Sequence, residues 1–137
     1  MSPFSETSLF VNSIIKSGFP TQAQLLIGKC AQRDDIAGLN NLVDHYKNSL
    51  DIVPSDLNFL IRSYKSMIEM KLPSIGFRRE SHNVDEAMQM ILKLESAFHL
   101  ELPKQRGLFH LRQFEYALCD HQKLEPEELT KAISYFN

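Results

Sequence analysis

The stretch PSDLNFLIRSYKSMIEM, Pro54 to Met70, decides the fold class. Leu57, Leu60, Ile61, Tyr64, Met67 and Ile68 recur at i, i+3, i+4, i+7, i+10 and i+11. That spacing draws one apolar stripe down a helix of 3.6 residues per turn, and alternation of period two is absent. Ser55, just after Pro54, is the expected N-cap. Working outward, the same period returns in Ile36, Leu39, Leu42, Val43 and Tyr46, which predicts a helix over about Asp35 to Ser49 with Asp34 as its cap. Ala23, Leu26, Ile27 and Cys30 predict another, opening near Thr21. Leu9, Phe10 and Ile14 predict a first one ending at Gly18.

Beyond Met70 the pattern stops and resumes. Asn83-Val-Asp-Glu86 has the form of a capping box, and Val84, Ala87, Met88, Ile91, Leu94 and Phe98 follow at helical spacing. Pro103 suits the first turn of the next helix, with Leu108, Leu111, Phe114 and Leu118 expected inward. Glu125-Pro126-Glu127-Glu128 opens a last helix, its acids at the positive end of the helix dipole. Leu129, Ala132, Ile133 and Phe136 leave that helix an apolar stripe that something must cover.

The expected architecture is therefore all-α: about seven helices joined by short connections, in stacked antiparallel hairpins of the α-solenoid or orthogonal-bundle kind. The 137 residues, 43% hydrophobic, suffice for one domain spanning 1–137 with a real core. Residues 72–83 form the one long joint and read as an inserted loop.

Several function classes drop out. A net charge of −2 argues against a protein coated in basic residues for nucleic acid. Cys30 and Cys119 stand far apart and form no CxxC pair, which fits a reducing compartment and argues against a zinc module or disulfide scaffold. No apolar run approaches a membrane span, and the N-terminus lacks the cationic start of a secretory signal, so a cytoplasmic protein is expected, or an organellar one if an address lies outside this chain. Phosphate-binding glycine loops, GxSxG, HExxH and calcium-loop motifs are missing. No two of the five histidines fall at the i, i+3 or i+4 spacing that aims both at one metal. Cys119 and His121 are two apart and cannot face one another on a helix. The paired acids Asp34-Asp35 and Glu127-Glu128 are explained by helix starts. We therefore expect a non-enzymatic protein with no cofactor and no metal.

An imperfect internal repeat sets GFPTQAQLLIGK over IVPSDLNFLIRS at an offset of 34 residues, Pro20 over Pro54 and Leu26-Ile27 over Leu60-Ile61. In this the chain resembles pentatricopeptide repeat proteins, relatives of the tetratricopeptide family, over about residues 8–70 and more loosely 84–136. The resemblance implies a superhelix of helix pairs with a concave binding surface. The positions matching the family's base-reading residue are Leu25 and Phe59, both apolar, so its one-base-per-repeat RNA code is not expected here.

Charge is the uneven property. Arg62, Lys65, Lys71, Arg78 and Arg79 face a single acid, Glu69, and Lys104, Arg106 and Arg112 follow. The plain reading is a solvated helix face and a polar loop. The sharper one makes Arg62, Lys65, Lys71, Phe77, Arg78 and Arg79 contacts for a partner protein or for phosphates. Arg78-Arg79-Glu80-Ser81 also fits a basophilic kinase site at Ser81. The leading expectation is an adaptor that binds another protein through a helical groove and the basic loop. RNA binding through a local basic patch without base readout, and a homodimeric helical protein, are the alternatives.

Overall fold

A computed structural model describes residues 21–74, 81–119 and 125–137. Among the described residues there are six helices and no strand: α1 (Gln22–Gln32), α2 (Ile36–Lys47), α3 (Pro54–Met70), α4 (Ser81–Phe98), α5 (Pro103–Cys119) and α6 (Pro126–Phe136). The chain is all-α, as the periodicity predicts. The helix expected before Gly18 lies outside the described residues. The chain divides into two compact units, Met1–Met67 and Ile68–Asn137, with the boundary inside α3.

In the first unit, Thr21 caps α1: its hydroxyl accepts from the Gln24 amide at 3.1 Å. The helix ends in a Schellman arrangement, with the Asp35 amide on the Cys30 carbonyl (2.9 Å) and the Asp34 amide on the Ala31 carbonyl (3.2 Å). Asp34 holds the left-handed position, φ 54°, that glycine usually takes. Asp34 is thus the stop of α1, and the cap of α2 is Asp35, whose carboxylate accepts from the Gly38 amide at 2.9 Å. Expecting Asp34 as the cap places it one residue early, because no glycine marks where α1 ends. Gly38 permits this closure: a Cβ there would sit 2.5 Å from the Asp35 carboxylate and 2.9 Å from the Cys30 sulfur. Burial, and then the neighbouring Asp35, push the Cys30 thiol up from its ordinary pKa. The side chain packs as a small hydrophobe in the core.

Pro54 is the first residue of α3, and the Val53 carbonyl accepts from the Asp56 and Leu57 amides. Ser55 is therefore not the cap; a proline needs no amide partner and starts the helix two residues sooner. Leu60, Tyr64 and Met67 are buried as expected, and Phe59 joins them. Ile27, Leu39, Val43 and Tyr46 complete this core from α1 and α2. Phe59 is a position at which the resemblance would read a base, but here it is a core residue. The 34-residue offset also superposes unlike environments: Leu26 is 48% exposed and Leu60 is fully buried. The buried positions of α1 and α3 correspond instead as Gln24 with Asp56, Ile27 with Phe59 and Gly28 with Leu60.

In the second unit, α4 opens at Ser81, which puts Asn83 inside the first turn rather than in the capping position. Val84, Ala87, Ile91 and Leu94 are buried, with Met90 beside them. The helix ends at His99, again a left-handed non-glycine (φ 54°), with the Leu100 amide on the Glu95 carbonyl. Pro103 starts α5 as expected. The buried face of α5 differs from the expected one. Gln105, Phe109 and His110 are buried, Leu108, Leu111 and Phe114 lie at the margin, and Leu118 is exposed. The reason is that α5 packs against both α4 and α6, so its inner surface is wider than one apolar stripe and takes in polar residues that find partners. The α6 helix comes close at Gly107, where a Cβ would lie 2.7 Å from the Phe136 ring.

Candidate interaction surface

A buried polar knot ties α3 to α1 in the first unit. Asp56, 5% exposed in the first turn of α3, accepts at one carboxylate oxygen from the Thr21 hydroxyl and the Gln24 side-chain amide Nε2, both at 2.8 Å. Its charge also sits at the positive end of the α3 dipole. On the same helix, the Tyr64 hydroxyl donates to the Asn40 side chain at 2.6 Å, tying α3 to α2. Burial, with Asp44 second, pushes the Tyr64 phenol well above its ordinary range, so it remains a donor at any physiological pH. The Ser63 hydroxyl is buried with no hydrogen-bond partner.

The second unit engages four of the charges that made the sequence look basic, Lys71, Lys104, Arg106 and Arg112. Lys71, whose side chain is only 11% exposed, meets Glu86 at 2.7 Å. Lys104 and the Gln105 amide both reach Glu69, at 3.3 and 2.8 Å. Arg106 grips Glu95 through two nitrogens, at 2.8 and 2.6 Å, with its guanidinium 6.0 Å from the centre of the Tyr135 ring. That two-pronged bond holds the Glu95 carboxyl below the usual carboxylate range and raises the guanidinium further. Arg112 donates to the Leu72 carbonyl and to Glu115, both at 2.9 Å. The Tyr116 hydroxyl donates to the Pro73 carbonyl at 2.9 Å, so α5 side chains pin the chain as it leaves α3. His110, buried on α5, has its Nδ1 2.7 Å from Glu128 of α6, and its ring stacks on Tyr135 at 5.7 Å.

Of the contact candidates in the sequence, Arg62 is exposed on α3, Lys65 is half-buried on the same helix, and Lys71 is engaged as described. Phe77, Arg78 and Arg79 lie outside the described residues, as does the side chain of Ser81. Cys119-Asp120-His121 as a group also lies outside them. Among the described residues no helix is long and apolar enough to cross a membrane.

An exposed apolar row lies on α6. On α6 the residues facing α5 are Glu128, Ala132 and Tyr135, of which Ala132 is fully enclosed. Beside that face, Leu129, Ile133 and Phe136 fall at i, i+4 and i+7 and are 36%, 53% and 48% exposed, with one side of the Phe136 ring against Gly107 of α5. Lys131, on another side of the helix, lies 3.7 Å from Glu128. The apolar pattern of α6 was legible in the sequence, whereas its exposure was not. Nothing in the sequence flagged Asp56 or His110 as buried. No protein-family model, no curated protein and no solved structure matches the chain.

Proposed function

We propose that this chain is a non-enzymatic interaction module, working in the cytoplasm, that offers the Leu129–Ile133–Phe136 row of α6 to the apolar surface of a partner protein. The observation that carries the reading is the exposure of that row on a helix whose adjoining face is fastened to α5. Three large apolar side chains aligned on one helix, with no charge among them, form the kind of anchor that helix-mediated recognition uses. The engaged state of Lys71, Lys104, Arg106 and Arg112 leaves the basic run with less to offer a phosphate backbone than its sequence suggests. Arg62 and Lys65 on α3 are then a secondary candidate for ionic contacts, separate from the α6 row.

The test is quantitative affinity capture from extracts of the native cells, comparing wild type with Leu129→Asp/Ile133→Asp and with Arg62→Ala/Lys65→Ala, each checked for helicity by far-ultraviolet circular dichroism. The α6 variant is expected to lose a polypeptide that the Arg62/Lys65 variant keeps. Capture that survives the α6 change removes the reading. A bound RNA that weakens steeply with salt and is lost with Arg62 and Lys65 would replace it with phosphate recognition. A concentration-dependent doubling of mass abolished by the α6 change would make the partner a second copy.

A further inference from the structure

We draw no further inference here: the strongest candidate, the exposed Leu129–Ile133–Phe136 face of α6, belongs to the surface already proposed, and nothing in the structure shows what covers it.

Discussion

In the first unit a buried carboxylate, Asp56, is met by the neutral donors of Thr21 and Gln24; in the second, Glu95 is met by the guanidinium of Arg106. Both arrangements join two helices through a carboxylate, yet they answer to different variables. Neutral donors around a charge at a helix start are little affected by salt, and losing the acceptor strands the buried Gln24 side-chain amide. An arginine–carboxylate pair loses its strength when the acid is protonated. The comparison teaches why a run of basic residues is a poor guide to a binding surface: in the second unit those residues hold helices together.

The largest effect is expected where the first knot is cut. Asp56→Ala leaves the Thr21 hydroxyl and the Gln24 amide without their acceptor and should cost about 3 kcal/mol in urea-induced unfolding. Asp56→Asn, which keeps an acceptor oxygen, should cost less. Equal losses for the two variants would mean that the charge, and not the hydrogen bonding, holds the knot. In the second unit, Glu95→Gln should cost about 2 kcal/mol near neutral pH, because Arg106 is left largely buried without its counter-charge. The sign with pH follows from the depressed pKa of Glu95. The contribution of the pair is present above the ordinary glutamate value of about 4.3 and is lost as the pH falls through the lower folded value. The gap between wild type and Glu95→Gln should therefore close in acid, while the gap for Asp56→Ala measured at neutral pH serves as the reference. A gap that stays constant down to pH 3 would sink this account of the pair. The smallest effect is a gain: Ser63→Ala removes a buried hydroxyl with no partner and should stabilise the protein by up to about 1 kcal/mol. A clear loss on the same substitution would show that the hydroxyl is bonded in solution.

The parts of the fold readable from sequence are those that a single helix determines by itself. The stripe of α3 is one: Leu60, Tyr64 and Met67 are buried because their own spacing puts them on one face. The starts at Thr21, Pro103 and Pro126 are others, since a cap or a first-turn proline acts within a few residues. What was not readable depends on partners distant in sequence. Asp56 looks like an ordinary acid at a helix start until Thr21 and Gln24, more than thirty residues earlier, are brought to it. Periodicity points α5 toward Leu111, Phe114 and Leu118, yet the helix has two neighbours and buries Gln105 and His110, which find Glu69 and Glu128. The turns at Asp34 and His99 take a conformation for which glycine would be the visible signal, and neither is glycine. The basic stretches Arg62 to Arg79 and Lys104 to Arg112 look nearly unopposed because Glu86 and Glu95 lie between them and meet Lys71 and Arg106 only in the packed helices. For the candidate surface, the apolar residues of α6 could be named from the sequence, but which of them face α5 and which face outward required the packed helices.

The exposed row of α6, and not the basic face of α3, is proposed as the primary contact. Site-specific photocross-linking tests it most directly, with a benzophenone amino acid placed at position 133 in one protein and at position 65 in another, each irradiated in extracts of the native cells. The account predicts a discrete adduct with another polypeptide from position 133 that disappears when Leu129→Asp is added, and a weaker adduct or none from position 65. A discrete adduct from position 65 with none from position 133 would contradict it.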